Sequence, residues 1–315
     1  MVLNETPYAN SVFEQPWWLD IVAPGNWDEV YVKENDQVIA RLAFVINRGK
    51  IIMPDWTQTL GIWMRDDIKT YKRGNSQKFK QKEIIFELFK QLPKYKLCNF
   101  RLDSSNDYVL PFRWLGFNIT PTFSYRINFH SFKNLDNVKA CYSKHIKRDL
   151  NAGKKKIRIQ ESSNIDKIIE LQNKTFKRQD RKNPLSEKLT YEIIKSALTM
   201  NRGRLTFGIN SENKIINGTF SIYDSKSCYY LMAYNDPQYQ NSNTLCLLTN
   251  DCIEFAFNHS EYFDFEGSMV EGIENYYRSF GSELVTNYLI SKQSFFCDCK
   301  DLAKPRIKKI LGYRI

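Results

Sequence analysis

Residues 205–209, 215–223 and 228–234 alternate apolar and polar positions like the strands of a β-meander, separated by the polar segments 210–214 and 224–227. A helix-period segment over about 244–258 follows, with Leu247, Leu248, Asp251, Cys252 and Phe255 advancing by helical steps. A short aromatic strand, 262–265, then ends on Glu266-Gly267-Ser268. Strands, then a helix, then a strand in one stretch argue for an α+β fold with a mixed sheet. This ordered series constrains the architecture more than any other feature of the chain.

The first half repeats the order. Residues 29–33 and 37–46 read as strands around the turn Glu34-Asn35-Asp36, and 50–53 follows Arg48-Gly49. Residues 80–92 place Ile84, Ile85, Leu88, Phe89 and Leu92 on one helical face, stopped by Pro93, and a strand over 97–102 leads into Asp103-Ser104-Ser105. The segment 112–117 precedes a strand as 277–282 does, which points to an internal duplication. All six tryptophans fall within the first 115 residues, a compositional step that separates two units. We therefore expect an N-terminal domain over 1–128 and a C-terminal domain over 129–315 that carries the active site. Between the meanders lie three helical segments: 135–150, closed by Gly153 as a C′ residue; 164–177, after Ser162-Ser163; and 186–200, after Pro184.

At 315 residues, 42% hydrophobic, the chain has ample material for two packed cores, which argues against disorder. The N-terminus shows no basic segment followed by an apolar run, and no stretch approaches the roughly 20 apolar residues that span a bilayer. Seven scattered cysteines read as reduced thiols of a cytoplasmic protein. Cys297-Asp298-Cys299 has no second pair, and His130, His145 and His259 lie far from it, so no metal is expected. The net charge of +11 is clustered: Lys69 to Lys82, Lys144 to Arg158, and a tail with Lys304, Arg306, Lys308, Lys309 and Arg314. Each cluster reads either as a solvated face or as a footprint for a polyanion such as nucleic acid, an anionic membrane face or coenzyme A. No Gly-rich phosphate loop or dinucleotide fingerprint is present.

Four passages carry a family resemblance: Ser143 to Lys154, Leu171 to Gln179, the meander through Gly218 to Tyr234, and Phe263 to Ser268 with Tyr276 to Gly281. On these the chain resembles the Gcn5-related N-acyltransferase (GNAT) superfamily. It is more narrowly similar to its double-domain branch, the FemAB-like proteins and related acetyltransferase domains of envelope and polysaccharide clusters. The resemblance implies two tandem GNAT-like folds, each a mixed, largely antiparallel sheet flanked by helices, with substrates meeting in the C-terminal half. It implies an anionic donor, acetyl-CoA or another acyl-CoA, held by a splayed strand and a helix N-terminus, here Leu231, Ala233 and Tyr234 with Asn241, Ser242, Asn243 and Thr244. The loop 238–245 departs from the family's glycine-rich cradle, having no glycine, and its polar side chains read either as phosphate donors or as helix caps.

Acyl transfer to an amine needs a group to take the proton and an acid for the leaving group. Glu266 is the candidate base or ammonium-binding group; otherwise it makes a structural hydrogen bond. Tyr276 or Tyr277 is the candidate acid, the other packing in the core. Arg278 clamps an anion or pairs with Glu274 one turn earlier. Arg178, Gln179 and Arg181 line the acceptor side or form an exposed helix end, and Asp264 reads as structural. The leading expectation is an N-acyltransferase acting on an amine-bearing sugar, amino acid or envelope precursor. The alternatives are a FemAB-type transferase using charged tRNA, and a non-catalytic binding protein with a basic face.

Overall fold

The computed structural model describes residues 4–69, 75–267 and 270–293, without the side chains of residues 75–77 and 240–242. Lys72, Arg73, Ser268, the Cys297–Cys299 pair and the basic tail lie outside the described residues. The described chain divides into two compact units, residues 4–123 with 286–293 and residues 124–285.

The first unit opens with a 3-10 turn, Val12–Glu14, and α1 (Pro16–Val22), whose proline occupies the first turn where its missing N–H costs nothing. Then follow β1 (Trp27–Glu34), β2 (Gln37–Asn47), β3 (Lys50–Ile51), β4 (Ile62–Met64), α2 (Asp66–Lys69), α3 (Asn75–Gln91), β5 (Leu97–Leu102) and α4 (Leu110–Trp114). Asn35 and Asp36 both take positive φ in the β1–β2 turn, the backbone a two-residue hairpin requires. β1, β2 and β3 are antiparallel neighbours; β5 lies parallel to β3 after the crossover through α3. Cys98, Phe100 and Leu102 alternate inward on β5, and Ile84, Ile85, Leu88 and Leu92 form the expected buried stripe of α3. Among the buried groups is Glu14, whose carboxylate accepts from Asn10 N and Gly61 N; burial pushes its pKa up.

The chain passes into the second unit within β6 (Asn118–Asn128). It continues as α5 (Leu135–Ala140), α6 (Lys144–Gly153), β7 (Ile157–Glu161), α7 (Ile165–Arg178), α8 (Glu187–Thr199), β8 (Gly203–Asn210), β9 (Ile215–Tyr223) and β10 (Ser227–Asn235). A 3-10 turn, Pro237–Ser242, leads to α9 (Leu245–His259), β11 (Tyr262–Asp264), α10 (Glu271–Arg278) and β12 (Glu283–Gln293). β7, β8, β9 and β10 are antiparallel neighbours, and β11 lies parallel to β10 after the crossover through α9. The two units thus share a plan: an antiparallel meander, a helical crossover, a parallel strand. In each, one more antiparallel strand completes the series, β12 on β5 and β6 on β11.

Several expectations are corrected. The single helix expected over 135–150 is two helices, because the chain turns at Cys141–Tyr142 and Ser143 starts afresh, its Oγ accepting from Ile146 N. Gly153 is the last residue of α6, not a left-handed C′ residue; a Cβ there would lie 2.6 Å from Leu247 Cδ1, so glycine permits the close approach of α6 to α9. β12, placed by sequence within 129–315, pairs over Tyr288–Gln293 with β5 of the first unit. α1, β4 and β7 are additional elements; β7 alternates Ile157 and Ile159 with polar residues but is short and almost wholly exposed.

Candidate active site

β10 is paired with β9 from Cys228 to Asn235, but with β11 only from Ser227 to Tyr229. Where β11 leaves, the β9 register slips between Tyr230 and Met232, making Leu231 the extra residue of a bulge. A wedge therefore opens beside the second half of β10, at Leu231, Ala233 and Tyr234, all half-buried.

The N-terminus of α9 follows β10 closely in the chain. Its N-cap residue, Thr244, is fully buried and makes no capping bond; its Oγ1 accepts from Asn217 Nδ2 on β9 at 2.8 Å. The capping role weighed for Thr244 is therefore not the one it plays, and the first-turn N–H groups keep the partial positive charge of the helix end. Asn243 sits before it at φ +56°, exposed. The side chains of Asn241 and Ser242 lie outside the described residues. α6 delivers a run of exposed cations next to this end: Lys154, Lys155 and Lys156 follow Gly153, whose Cα faces Leu247 and the Asn243 carbonyl.

At the end of β11, Asp264 is 4% exposed. Its Oδ1 accepts from Ser124 Oγ at 2.6 Å and from Glu266 N at 2.8 Å, and its Oδ2 from Arg126 Nη2 at 2.7 Å. Asp264 is structural, as its sequence context suggests, and the structure adds what it holds. It fixes the backbone of Glu266, which takes φ +66° and is followed by Gly267 at φ +68°. A glutamate in the left-handed region is strained by about 1 kcal/mol or more, and such strain persists where surrounding bonds impose it.

The two tyrosines of α10 separate clearly. Tyr276 Oη bonds Thr249 Oγ1 at 2.8 Å, and Thr249 Oγ1 bonds Tyr230 Oη at 2.7 Å, a closed network against the core. Tyr277 lays its ring on Phe265 at 4.7 Å, and among the described residues its hydroxyl has no hydrogen-bond partner. Burial pushes the Tyr277 phenol up, and the charges of Glu266, Tyr234 and Asp264 push it the same way. It stays protonated through neutral pH, so it suits a proton donor. Tyr276→Phe should cost about 1 kcal/mol, the worth of one hydrogen bond, read as a small drop in a denaturant melt. Ligand affinity and turnover should stay within about twofold, because Thr249 keeps Tyr230 and the Leu245 carbonyl.

Tyr234 and Glu266 thus lie close enough to Tyr277 for their charges to bear on its phenol. Arg278 is not part of this group: it is exposed and bonds Glu274 Oε1 at 2.9 Å and Asn275 Oδ1 at 2.6 Å. Glu274 in turn accepts from Tyr125 Oη, which lowers the Glu274 carboxyl and anchors α10 to β6. Arg178 and Gln179 form the exposed end of α7, Gln179 being its C-cap. Sequence reasoning missed Gln172 and Asn217, both fully buried; Gln172 Nε2 donates to Tyr234 Oη at 3.1 Å. A polar residue in the middle of an apolar helix face or strand is the signal that would have found them.

No family model matches the chain, and no curated protein matches it. Solved structures do. A crystal structure of FemX aligns with TM-score 0.66 at 11% identity, covering 91% of this chain and 93% of that one. A conserved protein of unknown function from Bacteroides thetaiotaomicron VPI-5482 gives 0.56 at 10%, covering 93% and 94%. The C-terminal domain of a putative lysylphosphatidylglycerol synthetase from Agrobacterium fabrum gives 0.53 at 8%, covering 86% and 85%. The chain has a double-domain GNAT-like, FemAB-like fold.

Proposed function

We propose that the protein is an acyltransferase whose second unit moves an acyl group from an acyl-CoA to an amine. The observation that carries this reading is the wedge between β10 and β11 beside the N-terminus of α9, where the N-cap side chain of Thr244 makes no capping bond. A helix of fifteen residues whose N-cap side chain, Thr244, makes no capping bond suits a pyrophosphate, and the exposed lysines after α6 suit further phosphate. The loop before α9 lacks glycine, so backbone approach is reached through Asn243 in the left-handed region instead. Bound there, the thioester would supply an activated acyl group.

The roles of the chain's own residues follow. Leu231, outside both ladders, offers its backbone N–H to the carbonyl oxygen on which charge develops. Glu266, held at the strand end by Asp264, takes a proton from the acceptor's ammonium, and the neutral amine then attacks the thioester carbon. Tyr277, kept protonated, donates to the leaving thiolate. The amine-bearing acceptor enters beside Glu266.

The exposed cations of α6, the turn after it and the start of β7, between Lys144 and Arg158, equally suit a charged tRNA as donor, the second reading. Thermal melts separate the two. Acetyl-CoA or a longer acyl-CoA at a hundred times its Kd should stabilise the protein by about 2.7 kcal/mol, with no such shift from RNA. Stabilisation by RNA alone, falling steeply with salt, would transfer the donor role to tRNA. If neither ligand binds, the catalytic reading fails and a binding protein of the same fold remains. No helix among the described residues is long and apolar enough to cross a membrane.

A further inference from the structure

On the first unit, the Lys82 ammonium lies 5.8 Å from the ring centre of Phe79, 5.8 Å from that of Phe86 and 5.9 Å from that of Trp114. Phe79 is 59% exposed, Trp114 55% and Leu110 53%. Single exposed apolar side chains are ordinary, but a contiguous group marks a contact surface. The shared lysine shows that Phe79 and Trp114 belong to one patch. Tyr108 extends it, edge-on to Trp114 at 6.5 Å, with the Lys78 ammonium 4.5 Å from its ring centre.

The patch arises from a second stripe on α3. Ile84, Ile85 and Leu88 fill the core, while Phe79, Lys82, Phe86 and Lys90 recur at three- and four-residue steps on another face. α4 adds Leu110 and Trp114. A groove of about 470 Å³ runs alongside, lined by Phe86, Phe89, Tyr95 and Phe117 with Lys90 and Lys292. The charge is mixed but positive: α3 carries four lysines (78, 80, 82, 90) against Glu83 and Glu87. Lys82 has no carboxylate partner among the described residues.

We propose that this face docks the protein on an anionic lipid bilayer. Aromatic rings settle at the headgroup level, while lysine stems lie along apolar surface and lift their ammonium groups to lipid phosphates. The ring geometry favours this over single-stranded nucleic acid. Base stacking needs open ring faces, and here one ammonium stands near Phe79, Phe86 and Trp114 together. Interfacial insertion needs no free face. The surface lies within the first unit and is independent of the acyl-transfer reading.

The test uses the full chain with vesicles of neutral phosphatidylcholine, or of equal parts phosphatidylcholine and phosphatidylglycerol, and with a single-stranded RNA oligomer. Cosedimentation with the anionic vesicles, weak on neutral ones and falling with salt, is expected. A blue shift in tryptophan emission should disappear in Trp114→Phe. Removing Lys78 and Lys82 as glutamines should weaken binding about fivefold each. The Phe79→Ser/Trp114→Ser variant should lose binding while its melt stays unchanged. The lysine pair tests the proposal separately should that variant fail to fold. No vesicle binding, equal binding to neutral vesicles, or RNA binding that is lost with Phe79 and Trp114 would overturn it.

Discussion

Asp264→Ala is expected to destabilise the second unit by about 3 kcal/mol, the lower range for removing one partner of a buried ion pair. Three donors lose their acceptor at once: Ser124 Oγ, Glu266 N and the Arg126 guanidinium, itself 12% exposed. Arg126 keeps its position over the Tyr262 ring at 5.3 Å, which holds the expectation at the low end. Asp264→Asn should fall between, since its amide oxygen can still accept from Ser124 or Glu266 while the charge is gone. Urea melts with unchanged slope would measure both. Arg126→Met should be markedly less harmful in the Asp264→Ala background than alone, because the two share one interaction. A loss below about 1 kcal/mol in Asp264→Ala would show that the pair is not what holds β11 to β6.

Glu266→Gln and Tyr277→Phe should each lower kcat by about 10²- to 10⁴-fold, the range for losing one general acid or base. Donor affinity should change little, because the phosphates are assigned to the α9 end. The double variant should be scarcely worse than the weaker single one, since the two proton transfers serve a single acyl-transfer step. The raised Tyr277 phenol gives a sign as well. The protonated form is the active one, so activity should persist as pH rises past the ordinary phenol value near 10 and then fall, and Tyr277→Phe should remove that limb. Turnover of Tyr277→Phe equal to that of Tyr276→Phe would remove Tyr277 from the mechanism. Either outcome can be read in a steady-state assay with acetyl-CoA and an amine panel.

The contrast between these tyrosines shows where sequence reading stops. Both rings pack against the core, so what separates them is the hydroxyl. The partner of the Tyr276 hydroxyl is Thr249, which also holds Tyr230, residues 27 and 46 positions away along the chain. Asp264 has the same character: its worth lies in Ser124 and Arg126, about 140 residues upstream. The bulge at Leu231 leaves no mark in the sequence, because Tyr230, Leu231 and Met232 continue an apolar run whatever the register.

Periodicity, by contrast, read well. β5 spans the residues expected, α7 and α8 begin at the caps Asn164 and Ser186, and α9 lies within a residue of its expected bounds. These elements were legible because side-chain alternation and capping are local: a strand's inward face and a helix's first N–H groups are set by residues a few positions apart. The local order of each meander, crossover and following strand was therefore determined by the sequence alone. The tertiary structure decided the rest: that β12 lies on β5 and β6 on β11, that β10 parts from β11 at Tyr229, and that the charges of Tyr234 and Glu266 bear on Tyr277. Strand pairing and proximity are long-range, and no local preference of the chain distinguishes one partner from another.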